Sequence, residues 1–426
     1  MEKSAYKIHI IGAGISGLIA AKTLEESGYH PTIIEATDSV GGRVKSDLVD
    51  GYVLDHGFQV LLTSYPAAQK YLDYKPLDLQ EFLPGATIFK DGKQQTIGDP
   101  LRNFSLLFPT LFSSIGSFSD KLKILKLNTF LKKKSIAAIF KTDEKTTLLY
   151  LKEYGFSDAI IADFFKPFFS GIFLEPNLET SSRMFEFVYK MFGDGMAVIP
   201  KSGIQTIPNQ LKNKLKNTTF KFNTKVSEIK NNVLILGDKS EIKTHFTIVA
   251  TEASHLISNL KNQETEWKSC DTLYFETEKR VIDKPIIGLI ADKNTLINNI
   301  FYHTSVANLS TGKKELLSVT VVKSHSLNEA DLIKKVQQNL LEFCGISDAK
   351  FIKRYQIKKA LPKLQNLQYE ISHTETKLTS NIFLAGDQML NSSLNAAMIS
   401  GERAAKGIIT TLEDGLIVDE IISEYK

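Results

Sequence analysis

The sequence predicts an α/β fold with an α+β insertion, and three observations predict it. An apolar run at 7–11 opens into Gly12-x-Gly14-x-x-Gly17 and then a helical pattern. A second apolar run at 32–35 ends on Glu35 and is soon followed by Gly41-Gly42-Arg43. Near the other end, a strand pattern at 381–385 leads into Gly386-Asp387 and a last helix. Strand, glycine turn, helix, strand and acid in that order make a Rossmann-like βαβ unit, which binds dinucleotides.

Each part of that unit has a physical task. Gly12 lets the backbone turn sharply, Gly14 lets a pyrophosphate reach the main chain without meeting a Cβ, and Gly17 lets the helix pack closely on the strand. The helix, about 15–27 with Ser16 in its first turn, aims unpaired N–H groups and its positive dipole end at the phosphates. Gly28 ends it. Glu35, followed by Ala36, lies about twenty residues past the glycines, where an acid accepts hydrogen bonds from both ribose hydroxyls and disfavours a 2′-phosphate.

Composition narrows the function further. With 426 residues the chain is long enough for two domains, and 42% hydrophobic with 23% charged residues is ordinary for a globular protein. The 52 basic and 48 acidic residues leave a formal charge of +4, too balanced to imply nucleic acid as a partner. The two cysteines, Cys270 and Cys344, form no CxxC, which points to a reducing compartment. Histidines are scattered without a metal-ligand spacing, so no metal is expected. The chain enters its first strand at once and has no run of eighteen or more apolar residues, so the expected location is cytoplasmic.

Along the chain the nucleotide-binding unit is interrupted and resumed. Turn signals at 65–66, 75–76 and 84–85 precede a strand at 86–89 that turns at Asp91-Gly92, and helical spacing then runs from 102 to 192. Strands return at 219–222, 233–236 and 246–251, the last ending on the small Ala250-Thr251. Alternating apolar runs within 272–323, such as 286–290 and 316–322, predict an antiparallel sheet, and 329–343 an amphipathic helix. The expected division is a discontinuous cofactor domain, 1–63, 196–264 and 373–426, and a substrate domain, 64–195 and 265–372.

The stretch from Gly12 to Arg43 resembles the opening of the FAD-dependent superfamily that contains amine oxidases, protoporphyrinogen oxidase and phytoene-type desaturases. The resemblance implies FAD, held non-covalently, with Gly42 and Arg43 along its pyrophosphate and Arg43 neutralising phosphate charge. Residues 382–387 are similar to the C-terminal FAD motif of the same superfamily. There Gly386 and Asp387 would meet the ribityl chain or pyrophosphate, and the helix start at Leu394, Asn395, Ala396 and Ala397 would face the flavin pyrimidine, where reduction places negative charge. Val226 falls where relatives make a main-chain contact to the adenine, and the small Ala250-Thr251 strand end suits close approach to a ligand. The segment Asp55-His56-Gly57-Phe58-Gln59 resembles the one that passes beneath the isoalloxazine ring, so Gly57, Phe58 and Gln59 border the flavin in this reading. For His56 the alternative is a polar residue capping a turn.

No second GxGxxG offers a separate nicotinamide site, so the electrons come from an organic substrate and leave to oxygen or a quinone. Amine oxidases of this superfamily build an aromatic cage at the flavin, and the likeness puts Ser393 at one of its aromatic positions, as desaturase-type relatives tolerate. The implied reaction is dehydrogenation or desaturation of a lipophilic small molecule: an isoprenoid, a polyene or a porphyrinogen-like ring. An amine oxidase, a flavin-dependent isomerase and a non-catalytic binding protein on the same fold are the alternatives. Two aromatic clusters, Phe164, Phe165, Phe168, Phe169 and Phe173, then Phe185, Phe187, Tyr189 and Phe192, suit a substrate wall or plain core packing. Residues 168–176, with Gly171 at a tight approach, and 355–362, with Tyr355 and Lys359, are similar to substrate-side segments of the superfamily. Finally, apolar residues and lysines alternate at helical spacing within 101–135, which suits either a solvated helix or peripheral contact with an anionic bilayer.

Overall fold

The structure is a computed structural model, and it describes residues 2–230, 232–260 and 263–413. The strand β1 (Ile8–Ile11) is buried along its whole length, as expected of a central parallel strand, and α1 (Ile15–Glu26) starts immediately after the glycine turn. Next come β2 (Thr32–Ile34) and a hairpin of β3 (Ser46–Val49) and β4 (Tyr52–Asp55). A second hairpin, β5 (Gly85–Lys90) and β6 (Lys93–Gly98), turns at Asp91 and Gly92, both at positive φ. The helical region follows, including α2 (Leu107–Phe112), α3 (Phe118–Lys133), α4 (Lys166–Phe173) and α5 (Ser182–Asp194). After it come β7 (Thr219–Lys221), β8 (Phe246–Val249), β9 (Trp267–Thr277), β10 (Ile287–Ile290), β11 (Ile297–Tyr302) and β12 (Glu315–Val321). The last elements are α6 (Glu329–Cys344), β13 (Lys350–Pro362), β14 (Ile382–Leu384) and α7 (Leu394–Glu413).

Two sheets position the site. The first is parallel, in the order β7-β2-β1-β8-β14, and draws strands from both ends and the middle of the chain. Helices α1 and α7 pack on it so closely that a Cβ on Gly17 would lie 2.0 Å from the Gly12 carbonyl, and one on Gly401 2.2 Å from that of Ser16. The second sheet has seven strands, β13-β9-β12-β11-β10-β5-β6. The sequence reading placed an antiparallel sheet at 272–323; the structure extends it at both edges, and β10 pairs with β5 in parallel. That pair joins segments some two hundred residues apart, which no local pattern announces. Beneath the sheet, α6 lays Leu332, Val336 and Leu340 against Leu273, Ile300 and Val319 to form a separate core. Residues 414–426 of the expected C-terminal segment lie outside the described residues.

Candidate active site

A continuous cavity of about 1800 Å³ runs between the two sheets. Ordinary small-molecule pockets occupy about 300–1,000 Å³, so this one has room for a dinucleotide and a second large molecule. Of the residues expected to hold the cofactor, Gly12, Gly14, Ser16, Glu35, Ala36, Gly42, Arg43, Gly57, Phe58, Gln59, Val226, Thr251, Gly386, Asp387, Leu394 and Ala397 all line it. Three do not. Gly17 is spent on the contact of α1 with the glycine turn. Asn395 is fully buried with its Oδ1 accepting from Ala67 N–H at 2.9 Å, and Ala396 is buried behind the start of α7.

The nucleotide end is built by the parallel sheet. Gly12 has φ +106°, and a Cβ there would sit 2.9 Å from the Ala250 carbonyl; at Gly14 a Cβ would meet nothing within 4 Å. The N-terminus of α1 therefore opens on free space lined by main chain, the cradle a pyrophosphate needs. Glu35 stands just past β2, its Oε2 accepting from Ala13 N–H at 2.8 Å and its Oε1 from Thr37 N–H at 2.9 Å. The carboxylate thus ties down the glycine turn as well as facing the cavity.

Arg43 and Asp387, 344 residues apart, meet in a two-bond ion pair, with Nη1 donating to Oδ2 at 3.0 Å and Nη2 to Oδ1. Arg43 also donates to the Ala360 carbonyl at 2.9 Å, and its guanidinium lies 5.3 Å from the Trp267 ring centre. Gln59 donates to the carbonyls of Arg43 and His56, both at 2.9 Å, locking the segment after β4 to the Arg43 loop. Ser393 lines the cavity with a small hydroxyl that accepts from Ala396 N–H at 3.0 Å and so caps α7. Open main chain at a helix start, a carboxylate after β2 and a guanidinium beside a second carboxylate fit a dinucleotide such as FAD.

The other half of the cavity is apolar. Phe164, Phe168, Phe173, Tyr189 and Phe192 line it, whereas Phe165, Phe169, Phe185 and Phe187 are fully buried in the core behind. Core packing therefore claims four of the nine aromatics. Gly171 is the tight approach expected of it, since a Cβ would lie 2.8 Å from Asn298 Nδ2 and 3.0 Å from Asn299 Oδ1. Sequence reasoning missed Trp267, Lys268, Cys270, Asn299 and Thr320, which reach the cavity from β9, β11 and β12. Burial pushes the Cys270 thiol up to about 12, so it stays un-ionised. Tyr355 lines the cavity and its hydroxyl donates to Asp47 Oδ2 at 2.8 Å, while the Lys359 ammonium is paired with Glu252.

The cavity reaches the surface at α3, where Lys121, Ile124, Leu125 and Asn128 line it at helical spacing. Nine of the fourteen large apolar side chains exposed among the described residues fall between Leu101 and Phe130. Of the lysines in this segment, Lys121 and Lys123 donate to main-chain carbonyls and Lys134 pairs with Glu186, while Lys126, Lys132 and Lys133 stand exposed. Among the described residues no cluster of side chains suits a metal ion, and no helix is long and apolar enough to cross a membrane.

Comparison with known proteins agrees with this geometry. The profile of the family described as flavin containing amine oxidoreductase matches residues 15–409. Protoporphyrinogen oxidase 2 of Arabidopsis thaliana is 26% identical over 170 residues, 39% of this chain and 32% of that protein. The 1-hydroxycarotenoid 3,4-desaturase of Flavobacterium sp. strain P99-3 is 28% identical over 162 residues, 32% of either chain. The match therefore spans about a third of the length of these curated relatives. An oxidoreductase structure from Methanosarcina mazei superposes with a TM-score of 0.72 at 16% identity, covering 94% of this chain and 100% of the other, which shows the fold.

Proposed function

The chain belongs to the flavin-containing amine oxidoreductase family, and from that premise we propose that it dehydrogenates or desaturates a lipophilic small molecule of isoprenoid, polyene or porphyrinogen-like kind. The enzyme is an FAD-dependent oxidoreductase. In this reading residues 1–63, 196–264 and 373–426 hold the cofactor non-covalently, and 64–195 and 265–372 hold the substrate. Bound FAD supplies an acceptor for a hydride. The protein's own part is to orient a C–H bond, exclude water and hold charge: Arg43 at the pyrophosphate, the start of α7 at the flavin pyrimidine.

One observation carries the substrate class. The cavity is continuous from the glycine turn, past five aromatic side chains, to a helix whose outer face is apolar and exposed. A lipophilic molecule is the cargo such a passage suits, and the 101–135 segment resting on a membrane is its entrance. The small Ser393 leaves room over the flavin for a bulky substrate. Relatives named for a porphyrinogen and a carotenoid support the same class. Oxygen or a quinone then takes the electrons.

Anaerobic mixing of the FAD-loaded protein with a panel of amines, porphyrinogens and carotenoid precursors tests this reading. Bleaching of the flavin by a member of the last two groups is expected. Bleaching by simple amines alone would overturn the substrate class, and a protein that takes up no FAD would overturn the enzyme.

A further inference from the structure

Dehydrogenation has a proton to dispose of as well as a hydride. When a hydride leaves one carbon with its bonding pair, the C–H pair on the neighbouring atom becomes the new π bond, and that hydrogen leaves as a proton. Bound FAD would supply the acceptor for the hydride, and no further co-reactant is needed. A lining side chain within reach of the reacting carbon can take it.

Most basic groups on the cavity wall are already engaged. Asp387 is paired with Arg43, Glu252 with Lys359 and His255, and Glu35 holds Ala13 and Thr37. His56 is placed differently. It follows β4, within the segment expected beneath the flavin, and lines the cavity, whereas Asp47 does not. His56 Nε2 lies 2.8 Å from Asp47 Oδ2, and the Tyr355 hydroxyl donates to the same oxygen, also at 2.8 Å. The His56 and Tyr355 rings stack with centres 4.4 Å apart, which fixes the imidazole plane. A neutral imidazole that donates Nε2–H to a carboxylate keeps its lone pair on Nδ1, ready to accept, and the carboxylate stabilises the cation that results. Asp47 is 45% exposed against 32% for His56, so the pair bridges the cavity and outside water.

We propose that His56 accepts the proton released as the substrate is oxidised and later gives it up to solvent, with Asp47 as the positioning residue that orients the ring and stabilises its cation. The proposal rests on the dehydrogenase reading above. The charged and titratable groups around the ring are Asp47 on β3, Asp55 next to it on β4, and Tyr355 on β13, with Lys353 of β13 acting on Asp47.

Flavin bleaching is followed by stopped flow across pH, using the substrate found in the panel. Wild type is expected to bleach faster at alkaline than at acid pH. His56→Gln should bleach at least about 100-fold more slowly, with that pH limb lost, while KM, FAD content and unfolding temperature are kept. Asp47→Asn should shift the limb, and Tyr355→Phe should leave it in place. A readout independent of turnover is carbethoxylation of the FAD-loaded protein by diethyl pyrocarbonate, located by mass spectrometry: His56 is expected to react and to be protected by bound substrate. Wild-type rate and pH profile in His56→Gln, or a His56 that substrate does not protect, would overturn the proposal alone. No bleaching of wild type by any lipophilic compound would overturn the dehydrogenase reading with it.

Discussion

Single residues set how the two ends of the site depend on each other. Asp387 is 6% exposed and Arg43 40%, so the pair is asymmetric. Removing the cation strands a buried carboxylate, whereas removing the carboxylate leaves a guanidinium that water reaches and that the Ala360 carbonyl still holds. Arg43→Met is therefore expected to destabilise the FAD-free protein more than Asp387→Asn, by a margin on the order of 1–2 kcal/mol in unfolding free energy. Equal losses would contradict the assigned burial. Both variants, and Glu35→Ala, should lower the flavin retained after gel filtration, read from its absorbance; full retention in all three would remove the cofactor from this end of the cavity. Trp267, the one tryptophan in the chain, lies against Arg43, so FAD loading should quench its emission. Arg43 and Asp387 were legible in the sequence because each sits inside a local motif. Trp267, Asn299 and Thr320 were not, because only the register of the second sheet, with Cys270 opposite Ile357, turns those strand positions toward the cavity.

Among the elements, the β3–β4 hairpin carries the clearest pH signature. Asp55 ends β4 at 2% exposure, its Oδ1 accepting from Ser46 Oγ at 2.5 Å and Ile204 N–H at 3.0 Å. Burial outweighs these hydrogen bonds and raises the carboxyl from 3.8 to about 6. Because the folded value exceeds the unfolded one, the stabilisation from this group is complete below about pH 3.8 and is lost as pH rises through about 6. Above that, holding the charge inside costs about 3 kcal/mol relative to acid, at about 1.36 kcal/mol per unit. Asp55→Asn keeps an acceptor oxygen and removes the charge, so it should raise the unfolding temperature at pH 8, and the advantage should shrink as pH falls from 6 to 4. A constant difference across that range would refute the buried charge. Elements such as α1, the strand β5 with its turn at Asp91-Gly92, and α6 were legible because each carries its own period and turn chemistry. The edge strand β13 and the fully buried Phe165, Phe169, Phe185 and Phe187 were not, since aromatic spacing reads alike for a core and for a cavity wall.

For the whole molecule, the proposed lipophilic substrate and membrane entrance raise the question of how such a molecule would cross from a bilayer to the cavity without entering water. On α3 the spacing puts Phe118, Leu122 and Leu125 on one exposed stripe that continues into Lys132 and Lys133, with Lys126 beside it. Leu125 belongs to both this stripe and the cavity wall, so a chain lying on the outer face needs to pass only that residue. Just before it, α2 adds Phe108 and Phe112, 62% and 79% exposed and stacked on one another. Burying two such rings in an acyl layer contributes about 1.5–3 kcal/mol each, and exposed lysines near anionic headgroups about 1 kcal/mol each. The FAD-loaded protein is therefore expected to co-sediment with phosphatidylglycerol-containing vesicles, and less so as salt is raised. Replacing both rings, Phe108→Ser with Phe112→Ser, should weaken binding at least about tenfold at any salt, whereas Lys132→Gln with Lys133→Gln should remove mainly the salt-sensitive part. Both pairs lie on the surface, so unfolding temperature should hold. If the ring variant bleaches with vesicle-borne substrate as fast as wild type, entry does not run through this face; slower bleaching from vesicles but not from detergent would place the entrance at α2 and α3.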